Sequence, residues 1–264
     1  MMLSWRSDSV SMSMTHSRSN VSVAFGCVRL RQCSVLASSH DNDRRGLQMG
    51  PSASILLRER LTEAQIDEIE QWLQSISSKL EGQRGDWWPF WIKNGQTIGL
   101  PFDDLDTVCA FGLTIEEAKT EQDYAEEGGV VDPEIRADIE ERQAQMIKYL
   151  DYYPKESINV YAGCNEKIDH LVLGYLALRL AERHGGIIDM NGAITPSPPA
   201  SGNHRQGTYS PFTQEGISDF VRSIPGRVFE MYYTIPPNRQ WVSHIVDTTF
   251  LQAWLRHPYF HMVK

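Results

Sequence analysis

The stretch SINVYAGCNEKIDHLVLGYLALRLAERHGGIIDMNGAI, residues 157–194, reads as strand, helix, stop and second strand. Residues 158–162 read as the first strand. Asn165 stands where a helix cap is expected, and Gly185-Gly186 supplies a left-handed stop near residue 184. Residues 171–178, LVLGYLAL, have no polar face, so this helix should be covered on most sides. Gly174 at its middle costs ~1 kcal/mol of helix propensity against alanine. Close approach of a neighbouring backbone is the expected compensation. Residues 187–190 form the next strand.

Upstream of this core, residues 52–57 make a short β-type run. Leu61-Thr62-Glu63-Ala64-Gln65-Ile66 follows with three start signals: a Thr62 cap, Gln65 completing a capping box, and a Leu61/Ile66 hydrophobic staple. Ile66, Ile69, Leu73, Ile76 and Leu80 predict one helix running on to Gly82 and Gly85. Residues 87–92, WWPFWI, read as a strand with Pro89 tolerated at an edge. Residues 108–113 read as a weaker strand and 115–127 as an acidic helix. Asp132 and Pro133 open a surface helix with a thin stripe of Ile135, Ile139, Met146, Ile147 and Leu150.

Downstream, the proline-rich 195–211 is a loop, and 212–224 returns to helix with Thr213 as cap. Residues 227–234 and 241–246 pair as antiparallel strands, and 250–256 form a last helix stopped near Pro258. The expected fold is α+β: a mixed or antiparallel sheet with packed helices, and a central buried helix over about 166–184. Residues 49–264 should form one domain.

The chain has 264 residues, 41% hydrophobic and 22% charged, an ordinary globular mix. Its formal net charge is −9, unevenly spread. Residues 103–141 hold 14 Asp and Glu against Lys119 and Arg136. A body this acidic argues against nucleic acid, whose phosphates require Lys and Arg. It suits a basic partner or solubility alone. The longest apolar run, 171–178, is far short of the ~20 residues of a membrane helix, so no membrane association is expected. The four cysteines, Cys27, Cys33, Cys109 and Cys164, form no C-x-x-C pair and no zinc spacing. The body therefore reads as reduced and cytoplasmic.

Residues 1–48 differ from the rest. They carry 11 Ser, six Arg and three Asp, with no sustained period. Three readings compete: a transit peptide, a disordered tail, and translation from upstream of a natural start at Met49. The last agrees with structure beginning abruptly after Met49.

No P-loop, nucleophile elbow, dinucleotide fingerprint or zinc ribbon is present, and no cofactor or metal is expected. Four constellations carry candidate chemistry. Glu166, Asp169 and His170 fall in one helical turn, a corner for a metal or an acid–base pair. With one nitrogen ligand, they are more simply a charged first turn favoured by the helix dipole. Cys164 precedes the helix, where a thiol pKa falls. Paired with His170 or His244 it would imitate a Cys–His nucleophile; a buried, inert cysteine is the simpler account. Trp87, Trp88, Phe90 and Trp91 offer stacking faces for a sugar or base, or simply core. Asp103, Asp104 and Asp106 lack calcium-loop spacing and read as a solvated loop. The whole span 103–141, with Glu116, Glu117, Glu126 and Glu127, can steer a basic partner.

The opening MGPSA (49–53), NVYAGCN (159–165) with Asp169, His170, Gly174 and Gly185-Gly186, and the ending FLQAWLRHP (250–258) with FHMVK (260–264) resemble a family of small bacterial proteins of unknown function. The resemblance covers 49–264, and it implies no catalytic residues. Members are similar in size, acidity and α+β pattern to immunity proteins of bacterial toxin systems. The expected function is accordingly a non-enzymatic binding protein, of immunity type, that masks a basic toxin through its acidic surface. The alternatives are a hydrolase using Glu166, Asp169 and His170 or Cys164, and a structural or regulatory module. Oligomeric state has no signature in the chain.

Overall fold

The computed structural model describes residues 50–82, 87–103, 105, 109–118, 133–196, 213–235 and 239–263. The chain divides into two units, Met1–Arg44 and Arg45–Lys264, and every described residue belongs to the second. The expectations for 1–48 and for Met49 lie outside the described residues.

Eight described strands form one antiparallel sheet: β1 (Ser52–Leu57), β2 (Ser77–Leu80), β3 (Trp88–Ile92), β4 (Phe111–Glu117), β5 (Glu156–Ala162), β6 (Ile187–Asp189), β7 (Val228–Ile235) and β8 (Arg239–Val246). Their order is β2-β3-β4-β5-β1-β6-β8-β7. The described helices are α1 (Glu63–Ile76), α2 (Pro133–Leu150), α3 (Lys167–His184), α4 (Gln214–Arg222) and α5 (Thr248–Leu255). The fold is α+β, as expected. β1 pairs antiparallel with both β5 and β6. It therefore lies between the two strands that α3 connects.

Strand alternation sends side chains to two different faces. Ala53, Ile55, Ile158, Val160, Ile188 and Val246 join the large core with α1, α3, α5 and Val221 of α4. Leu56, Ile187, Met231 and Ile245 form a smaller core with Met146 of α2 on the opposite face. Gln145 of α2 also closes the outer edge of β7. It accepts from the Tyr232 N–H at 2.9 Å and donates to the Tyr232 carbonyl at 2.6 Å. An edge strand so capped cannot template a second chain at that point.

α3 is the covered helix the sequence predicts: nine of its residues, including Leu173, Leu176 and Leu180, are buried. Its approach at Gly174 differs from expectation. A Cβ there would lie 2.8 Å from Leu255 Cδ2, 3.0 Å from Phe260 Cζ and 3.4 Å from Met262 Sδ. Side chains of α5 and the tail, not a backbone, fill the space. Gly185 ends the helix in the left-handed region, at φ 73°.

Several details differ from the sequence reading. α1 has the full Thr62/Gln65 capping box but ends at Ile76, and 77–80 leave it as β2. The helical period of Leu80 is a strand position that also meets the core. β3 lies second from the edge, so Pro89 is not an edge residue. Its carbonyl faces the β2 side, accepting from Glu81 N–H. Its missing N–H therefore faces past the end of that short ladder, which stops at Leu80–Phe90. Residues 115–117 continue β4 rather than opening a helix, because Ile115 pairs with Ile158 in the ladder to β5. The cap of α3 is Glu166, one residue beyond Asn165.

Among the described residues no helix is long and apolar enough to cross a membrane.

Candidate functional site

The α3 N-terminus brings Cys164, Glu166, Asp169 and His170 to one corner, as their spacing requires, and most of their polar atoms are committed there. Cys164 is joined to Cys109, with Cα atoms 5.8 Å apart. This corrects the reading of the body's cysteines as unpaired and of Cys164 as a free thiol, either nucleophilic or inert. The two lie 55 residues apart in sequence, and pairing of β4 with β5 brings them together. Asp169 is buried, and its Oδ2 accepts the Glu166 N–H at 2.8 Å. Burial pushes its carboxyl above the usual range, the Glu166 N–H bond opposes this, and the Glu166 charge adds to it. His170 Nδ1 lies 2.9 Å from Met262 N and 3.1 Å from the Met262 carbonyl, and Nε2 lies 3.1 Å from Asn165 Oδ1. His170 thus pins the C-terminal tail to α3. Among the described residues no group of three His, Cys, Asp or Glu could hold a metal ion.

The aromatic run is divided by strand alternation. Trp88 and Phe90 are core. Trp91 is half-buried with the Lys79 ammonium 4.7 Å from its ring centre. The Trp87 indole lies over Gly112, where a Cβ would approach Nε1 to 1.9 Å.

Of the acidic span, Asp104, Asp106, Glu126 and Glu127 lie outside the described residues. Asp103 is exposed. Thr114 Oγ1 donates to Glu116 Oε1 at 3.0 Å, and Glu117 pairs with Arg60 at 2.9 Å on the surface. Glu117 stands directly opposite Glu156 in the β4–β5 ladder. Glu156 is buried and accepts Leu61 N–H at 2.7 Å. Burial raises its carboxyl above the usual range, the Leu61 N–H bond opposes this, and the neighbouring Glu117 charge adds to it.

A second cluster, which sequence spacing does not reveal, lies under α4. Val228, Glu230 and Tyr232 share one face of β7. Glu230 is 8% exposed. Its Oε2 accepts from Ser218 Oγ at 2.7 Å and from the Tyr232 hydroxyl. Its Oε1 lies 3.2 Å from Arg222 Nη2 but outside hydrogen-bonding alignment. Burial alone would raise this carboxyl. The Ser218 and Tyr232 bonds, with the Arg222 charge, outweigh burial and hold it below the usual range. Glu230 is therefore a buried carboxylate kept ionised. Ser218, Arg222 and Tyr232 also line an open cleft of about 550 Å³ with Thr213, Gln214, Glu215 and Asp219. Two carboxylates, Glu215 and Asp219, and one guanidinium, Arg222, line it.

Beside Glu230 in the ladder stands His244, fully buried. Its Nδ1 accepts Ile194 N–H at 2.7 Å, which leaves the proton on Nε2, and Nε2 has no partner. Burial lowers its pKa to about 4. Ser243, the next residue, points to the opposite face and donates to Asp189 Oδ1 at 2.6 Å. Asp189 also takes Arg142 at 3.1 Å and Asn191 N–H at 2.8 Å. Asp189, Ser243 and His244 therefore do not form a nucleophilic triad, because alternation separates the serine from the histidine. A charged residue on the inward face of a strand was the available signal for Glu230.

Fold and cluster together define an α+β protein on an eight-stranded antiparallel sheet, with a carboxylate held ionised beneath an open cleft. The chain belongs to the family of unknown function DUF6368, which matches residues 49–264. No curated protein and no solved structure matches it.

Proposed function

We propose that the protein is a non-enzymatic binding protein, of immunity type, that takes a basic protein partner on its carboxylates and works in the cytoplasm. The observation that carries this reading is Glu230. Keeping a carboxylate ionised at 8% exposure requires several donors. This charge lies behind Ser218, Arg222 and Tyr232, which line the cleft with Glu215 and Asp219, so a partner's lysine or arginine would meet the two cleft carboxylates and compete with Arg222 for Glu230. The charge of 103–141 serves a different purpose, steering the approach and raising the on-rate. The commitment of Asp169 and His170 to structural bonds supports binding over hydrolysis at the α3 corner.

Co-expression of residues 49–264 with the product of a neighbouring toxin gene tests this. Growth should be restored. Reversing Glu116, Glu117, Glu126 and Glu127 to lysine should weaken rescue strongly, and Glu230→Gln should weaken it without changing salt dependence. Rescue indifferent to all five changes would sink the electrostatic reading.

A further inference from the structure

We propose that Cys109–Cys164 is a reversible thiol–disulfide site, opened by low-molecular-weight thiols and closed again by small disulfides, that ties one point of the acidic span to the start of the central helix. The site stands apart from the α4 cleft and does not depend on the binding reading.

Three observations support reversibility over a permanent staple. The first is access: both cysteines are half-buried, not sealed in the core, and exchange requires an external thiolate to reach a sulfur. The second is redundancy. β4 and β5 are held by seven register pairs, from Phe111–Ala162 to Glu117–Glu156. Beyond that ladder, Gly163 N–H donates to the Ala110 carbonyl at 2.9 Å, and Ala162 N–H to the Pro51 carbonyl at 3.0 Å. Backbone bonds thus place the two Cα atoms 5.8 Å apart, within the span a disulfide needs, whether or not the sulfurs are joined. Opening leaves the sheet in place, and closing is intramolecular. The third is the leaving group. Cys164 lies two residues before Glu166, the cap of the 18-residue α3. Cys164 thus lies between β5 and α3, in neither element, so its sulfur can separate from Cys109 without breaking either.

In the exchange, an external thiolate attacks the Cys109 sulfur, the S–S bond breaks, and Cys164 leaves as a thiolate that takes a proton. A second external thiol displaces Cys109 from the mixed disulfide. Two thiols become one disulfide, and two electrons pass to the protein. Oxidation by a small disulfide such as oxidised glutathione runs the same steps in reverse.

The pair opens where the surrounding thiol pool is reducing and closes where it is oxidising. Closing would fix Cys109, inside 103–141, to the α3 N-terminus. An oxidising shift would then stiffen one anchor of the acidic span.

The test uses the full chain, folded, in glutathione buffers of graded reduced-to-oxidised ratio. Free thiols are trapped by alkylation, and mass spectrometry reads Cys109 and Cys164 separately from Cys27 and Cys33. Both states should be reached within the series without denaturant, with unchanged far-ultraviolet circular dichroism. Faster hydrogen exchange on opening should be confined to residues near 110 and 163–166. The Cys109→Ser/Cys164→Ser variant should match the open state in exchange and dichroism at every ratio. A bond that stays closed until the protein is unfolded would make it a staple and overturn the proposal. So would loss of the fold on reduction, or sulfurs that never join in the oxidised buffers.

Discussion

Buried, neutral His244 makes the domain sensitive to acid. Its folded pKa, about 4, lies below the ordinary histidine value. The folded state holds it neutral, while the unfolded chain takes up a proton. The stability this represents is fully present above the unfolded value of about 6.5, and is lost as pH falls from there towards 4. The loss should be on the order of 3 kcal/mol. Urea midpoints between pH 7 and 4 should show this slope in the native chain. His244→Asn, whose Oδ1 can still accept from Ile194 N–H, should flatten it; an unchanged slope would place the titration elsewhere. Asp169 has the opposite sign. Its raised carboxyl favours folding when protonated, so its ionisation subtracts stability as pH rises through the folded pKa. Asp169→Asn keeps an acceptor for Glu166 N–H and should be neutral or stabilising at pH 7. Asp169→Ala should lose about 1 kcal/mol with the cap. A stabilising alanine by thermal or urea unfolding would contradict the cap assignment.

At the scale of elements, α3 depends on Gly174. Alanine there gains ~1 kcal/mol of helix propensity but must displace Leu255, Phe260 and Met262, all buried. Overpacking costs about 1–3 kcal/mol, so Gly174→Ala should lower stability by up to ~2 kcal/mol, with the loss traced by urea unfolding. A stabilised variant would mean that the α5 and tail side chains yield freely. α3 was legible because a helix without a polar face admits few placements, and Thr62/Gln65 and Thr213 were legible because caps are local chemistry. The end of α1 was not. Leu80 keeps the helical period while sitting on β2, and only its pairing with Phe90 distinguishes the two. The cysteine pairing was hidden for a related reason: it follows from the β4–β5 register, which no spacing in the chain encodes.

For the whole molecule, the sheet separates two polar systems. Asp189, Ser243, Asn191 and Arg142 lie on the α2 face, and Glu230, His244, Tyr232 and Ser218 on the α4 face. Sequence patterning exposed the bulk charge of 103–141 but not this partition, because each cluster draws on residues far apart in the chain. Glu230→Gln removes the charge while keeping an acceptor for Ser218. It should cost about 1.5–3 kcal/mol, the range for bonds to a charged group. The loss should appear at pH 7 and shrink on acidification, since a lowered carboxyl gives up its stability as pH falls through its folded pKa. The most direct test of the binding account is a titration of the isotopically labelled protein with N-acetyl-arginine amide, following backbone amide shifts. The account predicts saturable shifts at Ser218, Asp219, Arg222 and Tyr232 that vanish in Glu230→Gln. Shifts that never saturate, or that persist unchanged in that variant, would contradict it.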